Sequence, residues 1–182
     1  GLFSKTELTA LDGSIIPADG LIEVATPDED GFLSFTADMP YNAECYIKEL
    51  ETDEHYLLSD KQYLSGDTVI NKIIRGSIEG LKTDPNGRVL RGAVIGLFYP
   101  FETEFSLDTA IETFETDEAG RFLFENVPYG EWIIRELKAP DGYILSDENY
   151  YVTVKENGET VKLNIKNSKI PEPPSVPESP KT

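Results

Sequence analysis

The sequence contains an internal repeat, which constrains the fold strongly because both copies must adopt the same module structure. Residues 47–63 read IKELETDEHYLLSDKQY, and residues 134–150 read IRELKAPDGYILSDENY. Eight residues are identical between these two segments, each 87 positions from its counterpart. Upstream, the Gly-Leu-Phe motif of residues 1–3 recurs at residues 96–98. The chain is therefore predicted to hold two copies of one module.

The second copy carries an N-terminal strand that the first copy lacks. It begins with GSIEGLKTDPNGRVLRGAVI, which reads as two strands joined by a Pro-Asn-Gly turn. The first copy starts at Gly1, which corresponds to Gly96 after these two strands. We therefore predict an incomplete module over residues 1–74 and a complete module over residues 75–168. The proline-rich segment 169–182 is predicted to be an extended tail.

A period of two dominates the hydrophobic pattern. Val161, Leu163 and Ile165, for example, alternate with polar residues, and such short runs are separated by Gly- and Pro-containing turns. This pattern predicts an all-β fold of two tandem immunoglobulin-like β-sandwich modules, the first without its N-terminal strand. Residues 104–115 are the least regular segment, and one helical turn could precede the strand there.

The composition disfavours several classes of partner and activity. Sixteen Lys and Arg residues against 34 Asp and Glu residues give a net charge of −18, which repels nucleic acid and anionic membrane surfaces. Cys45 is the single cysteine, so no internal disulfide can form. The acidic segment 28–31 lacks the spaced ligands of a calcium loop, and no nucleophile–base set stands out. We expect no metal, cofactor or membrane contact, and no enzymatic turnover.

Three inward-facing runs in the second module each end in a polar residue. Because alternate side chains of a strand share a face, Lys82, Glu136 and Asn167 should all point toward the core with the apolar residues before them. Asn164 is the nearest alternative to Asn167, but its parity puts it on the outer face. Charged groups are rarely buried without partners, so these three residues are predicted to meet.

Their chemistry is complementary. Burial favours the neutral lysine amine, a nucleophile, and the protonated glutamic acid. The side-chain amide carbon of Asn167 is an electrophile, and Glu136 can relay protons from the amine to the leaving ammonia. The prediction is a Lys82–Asn167 isopeptide crosslink formed with the assistance of Glu136.

These residues lie in segments that resemble a known family. The sequences KTDPNG, LRGAVIGLFY, FETDEAGRFLFENVPYGEWIIRELKAPDGY and IKNSK resemble the Cna-B (collagen-adhesin B-type, or SpaA-like) repeat of Gram-positive surface proteins and pilins. The resemblance implies a prealbumin-like fold and an isopeptide site formed by Lys82, Glu136 and Asn167. The first copy keeps Glu49 and Asn71 but lacks the lysine strand, so no crosslink is expected there within this chain.

The last four residues, Ser179, Pro180, Lys181 and Thr182, resemble a sortase sorting motif of the LPxTG type, although serine replaces the usual leucine. The lysine motif of pilus backbones is not matched, since Phe101 follows Tyr99-Pro100. The resemblance implies an extracellular, wall-anchored protein whose partners are sortase, the cell wall and neighbouring modules.

The expected function is that of a structural stalk or spacer in a Gram-positive adhesin or pilin, stabilised by a single-turnover, autocatalytic crosslink. The alternative is a module that binds a host matrix protein or glycan.

Overall fold

A computed structural model of the protein describes residues 1–10 and 12–172. The described residues form strands, turns and loops without a helix, so the predicted all-β fold is confirmed. Within these residues there is accordingly no apolar helix that could cross a membrane. The chain divides into two units between Ile73 and Ile74.

The first unit contains one four-stranded antiparallel sheet and two short antiparallel strand pairs. The sheet has the order β4-β1-β5-β7, and β2 pairs with β3 and β6 with β8. The strands are β1 (Leu2–Ser4), β2 (Leu8–Thr9), β3 (Ile15–Ile16), β4 (Leu21–Glu23), β5 (Cys45–Lys48), β6 (Tyr56–Leu57), β7 (Gln62–Tyr63) and β8 (Lys72–Ile73).

The second unit is built from a four-stranded and a three-stranded sheet, with orders β11-β10-β13-β14 and β12-β9-β15. Residues of both sheets contribute to one buried apolar cluster, as in a β-sandwich. The strands are β9 (Arg75–Thr83), β10 (Val94–Phe98), β11 (Glu112–Glu115), β12 (Arg121–Pro128), β13 (Gly130–Lys138), β14 (Asn149–Val154) and β15 (Thr160–Lys166).

Strand β9 is the central strand of the smaller sheet. It runs antiparallel to β12 and parallel to β15, with Lys82 opposite Ile165. Gly80 lies on its inner face, where the ring of Phe122 occupies the space of the absent side chain: a Cβ at this position would lie 1.9 Å from that ring. Glycine at position 80 therefore allows the aromatic core to pack directly against the backbone of β9.

The loop between β10 and β11 covers part of the outer face of the larger sheet. Phe98 and Ile133 are buried, and Phe105 packs edge-on against Phe98 with ring centroids 5.0 Å apart. Ala110 donates a backbone hydrogen bond to the carbonyl of Ser106 (3.1 Å), an isolated turn that does not extend into a helix. Of the helical turn that was considered for residues 104–115, only this single hydrogen-bonded turn is present.

Candidate crosslink site

The structure brings Lys82, Glu136 and Asn167 together in the core of the second unit. Lys82 is near the end of β9, Glu136 near the end of β13, and Asn167 directly after β15. Their exposed fractions are 0 %, 2 % and 2 %, whereas Asn164 is exposed. Each side chain follows the period-two inward face of its strand, so the sheet geometry alone accounts for the burial of these polar groups.

The Glu136 carboxyl group lies between the other two side chains. Its Oε1 atom is 3.2 Å from Lys82 Nζ, and its Oε2 atom accepts a hydrogen bond of 2.6 Å from Asn167 Nδ2. One carboxyl group thus contacts both the amine and the amide nitrogen. This arrangement suits a proton relay between a lysine nucleophile and an amide leaving group.

Two backbone groups of the loop after β13 orient the site. The N–H of Ser146 donates to Glu136 Oε2 (2.8 Å), and the carbonyl oxygen of Ile144 accepts from Asn167 Nδ2 (2.7 Å). The backbone N–H of Asn167 also donates to the carbonyl of Thr83 on the adjacent strand (3.0 Å). These contacts fix the carboxyl and the amide, which leaves little motion between the groups that would react.

Burial controls the electrostatics of the site. Desolvation lowers the pKa of Lys82, and the nearby Glu136 carboxylate opposes part of that decrease. Asn167 Oδ1 is buried without a hydrogen-bond partner, and Lys82 Nζ and Glu136 Oε1 are buried with only their mutual 3.2 Å ion-pair contact. Burial of a polar group whose hydrogen bonds are not satisfied costs free energy. Conversion of the Lys82 amine to an amide would remove the charge of one such group.

The first unit holds a related pair without a lysine. Ser59 N–H donates to Glu49 Oε2 (2.8 Å), as Ser146 does to Glu136. Asn71 Nδ2 donates to Glu49 Oε1 (2.7 Å) and to the hydroxyl oxygen of Thr52 (2.7 Å). No ion pair within residues 1–10 and 12–172 includes Glu49.

Sequence reasoning did not assign a role to Ser146 or Ile144, since each acts through its backbone. A signal for Ser146 was nevertheless present, because Ser59 and Ser146 are identical in the repeat. The predicted sorting-like residues Ser179, Pro180, Lys181 and Thr182 lie outside the described residues. In the part of the chain that is described, no cluster of three or more His, Cys, Asp or Glu side chains is arranged to hold a metal ion.

Comparison with known proteins gives a family match and several similar structures. The model of the SpaA prealbumin-like fold domain matches residues 76–169, just over half of the chain. A comparison with curated protein sequences gives no significant match.

The similar solved structures include proteins of several Gram-positive bacteria. The Bacillus anthracis TIE protein aligns over 80 % of this chain and 28 % of its own, with 24 % identity and a TM-score of 0.65; this likeness concerns the fold. The major pilin subunit BcpA of Bacillus cereus aligns over 70 % of this chain and 37 % of its own, with 28 % identity and a TM-score of 0.48. The Streptococcus agalactiae minor pilin GBS52 aligns over 85 % and 71 %, with 26 % identity and a TM-score of 0.46. The chain thus spans well under half the length of the first two proteins.

Proposed function

Because the chain belongs to the SpaA prealbumin-like fold domain family, we propose that it is a structural stalk module of a Gram-positive adhesin or pilin. In this proposal, residues 75–168 form a complete module that is locked by an isopeptide bond between Lys82 and Asn167. The observation that carries the proposal is the buried cluster in which Glu136 contacts both the lysine amine and the asparagine amide.

The reaction begins with the transfer of a proton from Lys82 to Glu136 across their 3.2 Å contact. The neutral amine then attacks the side-chain carbonyl carbon of Asn167, and a new C–N bond forms. Glu136 delivers a proton to Asn167 Nδ2, which lies 2.6 Å away, while taking up a proton from the attacking nitrogen. The bond from carbon to Nδ2 breaks and ammonia leaves. The Glu136 carboxyl group stays protonated, because it has replaced the proton given to Nδ2 with one from the Lys82 nitrogen. The process happens once per molecule, so the protein is not an enzyme.

The position of this bond suits a module under tension. Strands β9 and β15 are parallel neighbours and the first and last strands of the second unit. A pulling force that enters at Arg75 would pass along β9 to Lys82, cross the isopeptide bond to Asn167, and leave the module. The segment between Lys82 and Asn167, which contains most of the core, would carry little of that load.

A stalk role also defines the proposed location and partners. We place the protein outside the cell, in contact with neighbouring modules of its parent protein. Attachment to the cell wall by sortase is proposed to involve the terminal residues Ser179 to Thr182. The acidic surface, with a net charge of −18, favours solubility in such a setting.

The intact mass of the purified chain tests the crosslink. The wild type should be lighter than its sequence mass by one ammonia, and Glu136→Ala should retain the full mass because the proton relay is gone. Peptide mapping should recover Lys82 and Asn167 in one branched fragment.

Two matched variants serve as controls. Glu49→Ala changes the equivalent carboxylate of the first unit, and Asn164→Ala changes the exposed asparagine three residues before Asn167; both should lose one ammonia like the wild type. A wild type at full mass, or an ammonia loss that persists in Glu136→Ala, would disprove the proposed reaction.

A further inference from the structure

Three aromatic rings of the second unit form a stack that leads from the core to the surface. The ring of Tyr99, directly after β10, lies against the Trp132 indole on β13, with centroids 5.6 Å apart and an interplanar angle of 31°. The Phe101 ring stacks on Tyr99 at 5.1 Å with an angle of 7°. Trp132 is buried, whereas Tyr99 is 46 % and Phe101 75 % exposed. We call these three rings the aromatic stack.

The first unit has smaller residues at the positions of these rings. The strands concerned belong to sheets with corresponding orders, β4-β1-β5-β7 and β11-β10-β13-β14. A serine and a cysteine that are partners in the β1–β5 ladder stand where the second unit has the neighbours Tyr99 and Trp132. The three counterparts in the repeat are Ser4, Thr6 and Cys45. The sheet therefore forms without the rings, and the two exposed ones need another explanation than folding.

The exposed rings project from a loop that is held by its own contacts. Phe105 packs edge-on against the buried ring of Phe98, with centroids 5.0 Å apart. Glu102 Oε1 accepts a hydrogen bond from the backbone N–H of Glu104 (3.2 Å), and the Thr109 hydroxyl donates to the Glu104 carbonyl (2.6 Å). A loop anchored in this way presents its exposed rings in one arrangement, so a ligand would bind them at a small cost in conformational entropy.

The charge around the aromatic stack indicates which ligand fits it. Between Arg91 and Arg121 the sequence contains seven Asp and Glu residues and no Lys or Arg. Two of these carboxylates, Glu102 and Glu104, follow Phe101 in the same loop. Such a surface attracts cations and repels anions. The face of an aromatic ring acts in the same direction, because its quadrupole is negative there.

The same loop already holds a guanidinium group in this manner. Arg135 Cζ lies 4.7 Å from the centroid of the Phe105 ring, and Arg135 Nη1 donates a hydrogen bond of 2.7 Å to Asn149 Oδ1. A cation over a ring, with its N–H groups bound to a side-chain oxygen, is therefore an arrangement that this surface accommodates. At Phe101 the neighbouring carboxylates supply the oxygen acceptors.

From these observations we propose that the aromatic stack is a docking surface for a basic segment of a partner protein, with an arginine side chain over the exposed ring of Phe101. The acidic surroundings select a cationic partner. Arginine is favoured over lysine because its planar guanidinium both stacks on a ring and donates several hydrogen bonds to carboxylates. This binding does not depend on the crosslink proposed for Lys82.

The experiment uses the full chain and a labelled peptide of three arginines separated by glycines, with binding followed by fluorescence anisotropy. A matched peptide contains citrulline, which has the shape of arginine without its charge, and another contains lysine. The citrulline peptide should bind about tenfold more weakly or less. The lysine peptide should have an affinity between those of the other two.

Three variants that keep the net charge separate the rings from general attraction to an acidic chain. Phe101→Thr and Tyr99→Ser take their new residues from the first unit, and each should weaken binding of the arginine peptide about two- to fivefold, as expected for one exposed cation–π contact. Phe32→Thr removes a ring of the first unit that is 72 % exposed and should bind like the wild type. Denaturant unfolding followed by the emission of Trp132 verifies that each variant is folded.

Several results would overturn the proposal. These are equal binding by the wild type and folded Phe101→Thr, an equal loss in Phe32→Thr, or equal affinity for the citrulline peptide. A wild type that binds maltotriose but not the arginine peptide, and loses this binding in Phe101→Thr, would assign the aromatic stack to a neutral glycan instead. None of these outcomes changes the mass of the chain, so the crosslink is judged separately.

Discussion

Replacement of Lys82 by methionine tests how much the proposed crosslink stabilises the second unit. Methionine is similar in length and uncharged, so the β9 core position stays filled, while Glu136 keeps its bonds to Ser146 and Asn167. Lys82 and Asn167 are 85 positions apart, and closing a loop of this length reduces the entropy of the unfolded chain enough to stabilise the folded state by about 4–5 kcal/mol. The imperfect fit of methionine adds up to about 1 kcal/mol to the loss.

Denaturant unfolding followed by tryptophan fluorescence measures this difference. Trp132 is the single tryptophan of the sequence and is 7 % exposed in the core of the second unit, so its emission reports on that unit. Lys82→Met should reduce the free energy of unfolding by about 4–6 kcal/mol, and Asn167→Ala, which blocks the crosslink from the other side, should cause a loss of similar size. If the wild type lacks one ammonia and yet both variants unfold within about 1 kcal/mol of it, the loop-entropy argument is wrong.

Two further predictions concern the same unit. In the Asn167→Ala variant the Lys82 amine stays free, and burial lowers its pKa in the folded state. Between the folded-state and unfolded-state pKa values of this lysine, the unfolded chain binds more protons than the folded chain. The free energy of unfolding should therefore rise with pH up to the ordinary lysine pKa. A double variant that also carries Lys82→Met should lose this slope in fluorescence-monitored unfolding, and an unchanged slope would contradict the assignment to Lys82. Gly80→Ala should destabilise the unit by about 1–3 kcal/mol or more, because the new Cβ would lie 1.9 Å from the Phe122 ring; a melting temperature equal to that of the wild type would show that the ring moves freely.

Much of the candidate site could be predicted from the sequence because strand parity is a local property. Ile78, Gly80 and Lys82 alternate on β9, and the same period leads to Glu136 on β13 and to Asn167 after β15. A period of two specifies which side chains share a face, even when the order of the strands is unknown. The repeat added the correspondence of Glu49 and Asn71 with two of these residues.

Other parts of the site depend on backbone groups, which have no residue signature. The N–H of Ser146 and the carbonyl of Ile144 orient Glu136 and Asn167, and any residue other than proline could supply the former. The covering of the larger sheet by Phe105 was also not predictable, because residues 99–111 lack a hydrophobic period. Such contacts arise from tertiary packing, which acts between segments that are distant in sequence.

The place of β9 in its sheet gives a physical reason for the position of the proposed crosslink. As the central strand of its sheet, β9 supports both β12 and β15, so its detachment would cost two ladders of hydrogen bonds together with the packing of Phe122 against Gly80. Within residues 1–73, which contain no counterpart of β9, residues 32–35 and 69–71 form no strand, and Leu50 and Val69 are exposed. The proposed covalent bond from β9 to the end of β15 would therefore hold in place the strand with which both β12 and β15 pair.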